Sequence, residues 1–384
     1  MPEPFAPSDI LLYLCVFKFS MRNSFFLILL ISTLVSAQQK DTYAVEAAFL
    51  RGNVLPHNED MYHLINGHPE GFMVSVLKRT HGSEEWQKEY NFPDYGAYFL
   101  YQDFKSEPLG ICYGAGVFYN FYFLKRHLQL RLAEGIATTT NPYNKVDNSK
   151  NKAFGTRLLD NTNIGLSYDN QNLFKNIGFS AGILFTHYSN GRVKSPNSGI
   201  NTYLLNVSLN YNFDEERKIK NDTTPVDVKK NYRQPIHYNA VFRTGVNESA
   251  VIRSGQKPFY HIGFYADKRL NRKSGLQLGA ELFLTESLKQ YIKYYSVAYP
   301  EFNVDANTDY KRVGVFVGHE LFINRISLEA QLGVYVYAPF QKDTIIYDRV
   351  GMKYYISDKF FAGFTIKTHM FLAEALEFGV GMRL

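Results

Sequence analysis

From Tyr43 onward, apolar and polar residues alternate with a period of two in runs of about ten, separated by clusters of Gly, Asn, Asp and Lys. Successive side chains of a strand point to opposite faces, so each run predicts a strand with one apolar face. The clearest run is Tyr203 to Phe213. Tyr203, Leu205, Val207, Leu209, Tyr211 and Phe213 share one face, and Asn206, Ser208, Asn210 and Asn212 the other. Aromatics at both tips of an apolar face match the two interfaces of a bilayer, which a soluble sandwich has no reason to mark. Sixteen strands are predicted in this way, near residues 43–52, 70–79, 95–104, 110–123, 127–137, 158–168, 175–189, 201–213, 236–247, 258–270, 274–286, 309–322, 325–338, 344–356, 359–369 and 375–384. The fold class that follows is all-β: an antiparallel transmembrane β-barrel of about 14–16 strands.

The segment GLSYDNQNLFKNIGFSAGILFTH (165–187) echoes GMKYYISDKFFAGFTIKTH (351–369), and one more alternating strand follows each. Two related halves fit two tandem eight-stranded barrels as the alternative; one large barrel is favoured here because a second barrel needs a second closure. A charged connection, 214–235, separates the first half, 38–213, from the second, 236–384. Ser287 to Tyr299 predicts a short helix beyond an outward-going strand. The one dense apolar run comes earlier: Arg22, then Phe25 to Val35, then the small residues Ser36 and Ala37. It is too short to span a bilayer, so 21–37 reads as a signal peptide and 1–20 as an upstream extension ahead of Met21.

Composition fits this setting. Of 384 residues, 45% are hydrophobic and 16% aromatic, enough for a large core or a lipid-facing surface. No later apolar run approaches the roughly 20 residues of a membrane helix. Removal of the signal leaves Cys112 as the single cysteine, so no intrachain disulfide is expected. The +6 charge comes without a phosphate loop, dinucleotide fingerprint or nucleic-acid signature, so no nucleic-acid partner is expected. No cysteine sits at the cleavage site, which argues against a lipoprotein anchor, and an exported barrel points to the bacterial outer membrane.

Candidate chemistry concentrates in THYSNGRVKSPNSGIN, Thr186 to Asn201. By strand parity, Ile177, Phe179, Ala181, Ile183, Phe185, His187 and Ser189 face outward, and Asn201 joins them from the returning strand. Polar groups on a lipid face are expensive, so three on one outward face invite a function. A serine hydroxyl, an imidazole to take its proton and a third group to orient the imidazole make a nucleophilic site. Ser189, His187 and Asn201 are the candidates for those roles. Asn190 and Asn197 are candidate oxyanion donors, and Arg192 and Lys194 candidate phosphate-binding residues. No metal cluster or cofactor is expected. His57, His63 and His68 read as exposed loop residues, His369 as a lumen residue, and Ser180 of GFSAG as an inward mid-strand serine without a nucleophile elbow.

At His187, Ser189, Asn190 and the following PNSGIN, the sequence resembles the lipid A deacylase (PagL) family of outer-membrane barrels, with its H-x-S-N and P-N-x-G-I run. The third catalytic residue of that family is a glutamate, where this chain has Asn201. HYSNGR with an asparagine fourteen residues after the histidine is also similar to outer-membrane phospholipase A. That resemblance makes Asn201 the orienting group, sets Arg192 near a calcium site, and leaves calcium open as a cofactor. Both resemblances imply hydrolysis of an acyl ester by an outward-facing serine. The favoured substrate is lipid A of lipopolysaccharide, with phospholipid as the alternative and a non-catalytic channel or structural barrel as a third reading. A homodimer is left open.

Overall fold

The computed structural model describes residues 42–213 and 234–384, apart from 58, 342, 343 and 371, together with Tyr232. The predicted extension and signal peptide, and nearly all of the charged connection, lie outside the described residues.

Among the described residues sixteen antiparallel strands form, close to the predicted positions. The first eight are β1 (Thr42–Leu55), β2 (Glu70–Arg79), β3 (Asp94–Asp103), β4 (Ile111–Phe123), β5 (Leu128–Thr139), β6 (Leu158–Phe174), β7 (Ile177–Ser189) and β8 (Ile200–Asn212). The second eight are β9 (His237–Asn247), β10 (Lys257–Arg269), β11 (Ser274–Thr285), β12 (Arg312–Ile323), β13 (Ile326–Tyr337), β14 (Ile346–Tyr355), β15 (Phe360–His369) and β16 (Leu372–Arg383). Helix α1 (Glu85–Glu89) lies between β2 and β3, and α2 (Glu286–Ala298) follows β11, where the sequence predicts a helix. No helix among the described residues is long and apolar enough to cross a membrane.

The expectation of one large barrel is corrected, in favour of the tandem arrangement. β8 returns to β1 in continuous register from Ala44 opposite Asn212 to Leu55 opposite Asn201. β16 likewise returns to β9, from Phe378 opposite Thr244 to Arg383 opposite Asn239. Each set of eight therefore closes on itself. Closure at eight pairs every strand edge and leaves an interior that side chains can fill. The repeat seen in the sequence falls on the same hairpin of each barrel, β6–β7 and β14–β15.

Alternation sorts the side chains as predicted. On β8, Tyr203, Leu205, Val207, Leu209 and Tyr211 are exposed while Thr202, Asn206, Ser208 and Asn210 are buried. Inside the first barrel, Arg79 meets Asp94 at 2.5 Å and Arg131 meets Glu46 at 2.7 Å, next to an apolar cluster around Leu50, Leu100, Phe104 and Tyr188. Ser180 is buried mid-strand against Ser208 Oγ at 2.6 Å, as its parity predicts. Cys112 is buried and free.

The second interior is more ionic. Arg349 donates to Glu377 at 2.6 Å and Glu281 at 2.7 Å, Arg243 donates to Glu281 at 2.6 Å, and Lys353 pairs with Glu329 at 2.7 Å. Tyr265, Phe283, Phe316, Tyr347 and Phe361 fill the space between these charges. Buried charges are tolerated when paired and fully hydrogen-bonded, which this lattice achieves. His369 sits at its edge, buried and bonded to Tyr335 Oη at 2.9 Å, in keeping with the lumen position expected of it.

The barrels belong to one compact unit, Tyr43–Leu384. At the short-turn end, Tyr90 beside α1 donates to the Phe322 carbonyl at 2.7 Å, and Glu85 pairs with Arg272. At the long-loop end, the β7–β8 loop is fastened to the β9–β10 loop. Glu248 accepts from Ser195 N at 2.7 Å and Gly255 N at 2.8 Å, its own N–H donates to the Arg192 carbonyl at 3.1 Å, and Ser195 Oγ donates to the Ser249 carbonyl at 2.7 Å.

Candidate active site

β7 and β8 carry the polar groups that the sequence analysis singles out. His187 stands opposite Asn201 across the β7–β8 ladder and opposite Thr162 across β6–β7, and Ser189 stands opposite Asp160. Period-two alternation keeps His187 and Ser189 on the outer face with Phe185. Ser189 is nevertheless only 2% exposed, because the loop beyond it folds over the strand end.

The hydrogen bonds fix the protonation pattern. His57 Nε2 lies 2.8 Å from the Ser198 carbonyl, which can only accept, so that nitrogen carries the ring proton. His57 Nδ1 is then an acceptor and takes an N–H from Asn201 Nδ2 at 3.3 Å. This turns Asn201 Oδ1 toward His187, where it accepts from Nδ1 at 2.6 Å. Nε2 of His187 is left as a bare lone pair, the form a general base needs. Among the described residues no hydrogen bond joins Ser189 to His187; Ser189 Oγ instead accepts from Gly191 N at 3.3 Å.

Gly199 passes close over the pair. Its φ is +69°, and a Cβ there would lie 3.2 Å from His187 Cε1, 3.3 Å from Ser189 Cβ and 3.0 Å from the Tyr188 carbonyl oxygen. Only a residue without a side chain allows this approach in a left-handed conformation.

The two candidate oxyanion donors separate. Asn190 is buried, its N–H donating to Asn197 Oδ1 at 2.8 Å and its side-chain amide to the Lys194 carbonyl at 2.8 Å, so it serves the loop. Asn197 lines the cleft beside His187 and Ser189. Of the two candidate phosphate ligands, Arg192 lines the cleft, whereas the Lys194 side chain is exposed outside its lining. Lys152, from the β5–β6 loop, lies in the cleft and was not singled out from sequence.

Sequence reasoning also missed His57, which it left among exposed loop histidines, and the carboxylates flanking the site. Asp160 lines the cleft; Thr162 Oγ1 lies 2.8 Å from Glu134 Oε2 and 3.2 Å from Asp160 Oδ2, making a polar row on the outer faces of β5 and β6. Alternation assigns these residues outward, and carboxylates at outward positions were the available signal. The cleft has a volume of about 1590 Å³ and is lined by both barrels, with Phe185 from the first and Val350, Ile366 and Leu372 from the second. An imidazole with one nitrogen oriented and the other free, a serine beside it and amides above can carry out acyl transfer.

Comparison with known proteins bears on this geometry. Residues 70–210 match the family described as lipid A 3-O-deacylase (PagL), and residues 236–384 match the acyloxyacyl hydrolase C-terminal domain. No curated protein sequence matches the chain. Among solved structures, a triple mutant of the Rhodopseudomonas blastica porin is 7% identical over 90% of this chain and 100% of that one, with a TM-score of 0.18. The Acinetobacter baumannii outer membrane protein Omp33 is 9% identical over 90% of this chain and 99% of its own, with a TM-score of 0.17. The two family matches meet the two barrels in turn, and the chain belongs to the PagL family of lipid A deacylases, with its acyloxyacyl hydrolase C-terminal domain.

Proposed function

We propose that the protein is a serine esterase of the bacterial outer membrane that removes an ester-linked acyl chain from lipid A. The observation that carries this reading is the 2.6 Å contact of His187 Nδ1 with Asn201 Oδ1 on the outer face of the barrel, with Ser189 two residues along the same strand. Ser189 Oγ attacks the ester carbonyl while His187 Nε2 takes its proton. Asn197 stabilises the oxyanion of the tetrahedral intermediate. His187 then gives the proton to the departing sugar oxygen, and water hydrolyses the acyl-enzyme by the same route in reverse. Asn201 keeps the imidazole in one tautomer and orientation, held in turn by His57. Arg192 and Lys152 supply positive charge for the sugar phosphates of lipid A, with Lys194 at the rim. The filled interiors of both barrels oppose the channel reading.

The test is mass spectrometry of lipid A and phospholipids from cells expressing the wild type and Ser189→Ala. Lipid A lighter by one acyl chain in the wild type alone supports the proposal. Accumulated lysophospholipid that disappears on calcium chelation moves the site to the phospholipase reading, and no change in either lipid refutes hydrolysis.

A further inference from the structure

We propose that the second barrel builds the far wall of the acyl-binding groove and sets the acyl-chain length that the site accepts. This rests on the esterase reading above and gives the second barrel a role in it. Every group assigned to the chemistry lies on the first barrel, and the interior of the second is closed by its charge lattice. Its contribution is therefore to be sought on its outer surface.

That surface is sorted along its height. Asp348 and Thr368 are paired across β14–β15, and one pleat further from the loops Val350 is paired with Ile366. The first barrel is sorted alike, with His187 near the loops and Phe185 one pleat below. All six residues line the same cleft, so at these positions both walls pass from polar near the loops to apolar toward the strand centre, and Met370 and Leu372 add apolar surface at the loop end of the second wall. An amphiphile with its ester at Ser189 and its chain running toward the strand centre meets like chemistry on both sides. Val350 is 53% and Leu372 66% exposed although they face another barrel, whereas Leu376 nearby closes tightly on Gly191. The barrels thus touch at the Gly191 contact and stand apart beside it. The cleft, about 1590 Å³, exceeds the roughly 300–1,000 Å³ of a pocket for a drug-sized ligand. The fastening through Glu248 and Ser195 holds this spacing at the loop end.

The experiment uses the full chain in detergent micelles and reads the ratio of kcat/KM for p-nitrophenyl palmitate to that for p-nitrophenyl butyrate. Val350→Trp and Ile366→Trp narrow the groove from the second barrel and are expected to lower this ratio at least tenfold. Leu278→Trp, on the outer face of β11, is the control for adding a ring to a lipid-facing surface and is expected to leave the ratio as in the wild type. A ratio unchanged in Val350→Trp and Ile366→Trp, with Ser189→Ala inactive, overturns the groove assignment alone. Hydrolysis that persists in Ser189→Ala overturns the esterase reading, and the groove assignment with it. Heat-modifiable gel migration shows that each variant has folded.

Discussion

Replacement of Gly199 by alanine tests whether the spacing of His187 and Ser189 is set by the residue between them. Gly199 and Gly255 both have left-handed backbones, at φ +69° and +86°, so an alanine at either costs about 1–2 kcal/mol of stability. They differ in surroundings. A methyl group at Gly255 meets nothing within 4 Å, whereas one at Gly199 lies 3.2 Å from His187 Cε1 and 3.3 Å from Ser189 Cβ. Ordinary carbon contacts are about 3.5–4.0 Å, so the neighbours must give by several tenths of an ångström. The Tyr188 carbonyl, 3.0 Å away on the other side, belongs to a paired ladder position and resists movement, so the displacement falls on the two reactive side chains. A misplacement of about 1 Å costs roughly a hundredfold in rate. Gly199→Ala should therefore lose about ten- to a hundredfold in kcat, or ~1.4–2.7 kcal/mol. Gly255→Ala should keep its rate while losing similar stability. Initial rates of p-nitrophenyl ester hydrolysis and urea unfolding of both variants provide the comparison. A Gly199→Ala rate within about twofold of Gly255→Ala refutes the reasoning.

Asn201→Ala leaves the His187 Nδ1 proton without its acceptor, a loss of about 1–3 kcal/mol that should appear as a ten- to hundredfold lower kcat with little change in KM; Asn201→Glu, which restores an acceptor, should retain activity. Glu248→Gln turns an amide N–H toward one of two backbone donors, Ser195 N or Gly255 N, and should speed hydrogen exchange in residues 190–199 and lower kcat about tenfold. Arg349→Ala removes the guanidinium shared by Glu281 and Glu377, leaving Glu281 to Arg243 and Glu377 to His261 and Thr365, and should cost about 3 kcal/mol in urea unfolding.

Strand positions and the direction each side chain faces are legible in the sequence because period-two alternation is a local property. The fate of Tyr203 to Tyr211 follows from their spacing alone. Closure is not local. Whether β8 seeks β1 or β9 depends on which edges meet in space, and the single hint was the echo between 165–187 and 351–369. In the site, His187, Ser189 and Asn201 are visible because one hairpin carries them at readable offsets. His57 escapes notice because it is 144 positions from Asn201 and reaches it only where β1 lies against β8. Asn190 and Asn197 look alike in sequence, and the loop's hydrogen bonds decide which faces the cleft.

The meeting of β1 with β8 also gives the chemistry a place in time. The hairpin that brings His187 to Asn201 can form by itself, but the contact that tells Asn201 which way to turn its amide comes from the opposite end of the sheet. Until the first and last strands join, Asn201 is free to present its NH2 group to the imidazole, and the base tautomer has no support. Hydrolysis by the proposed route thus depends on closure of the first barrel as well as on the hairpin that carries the reactive groups.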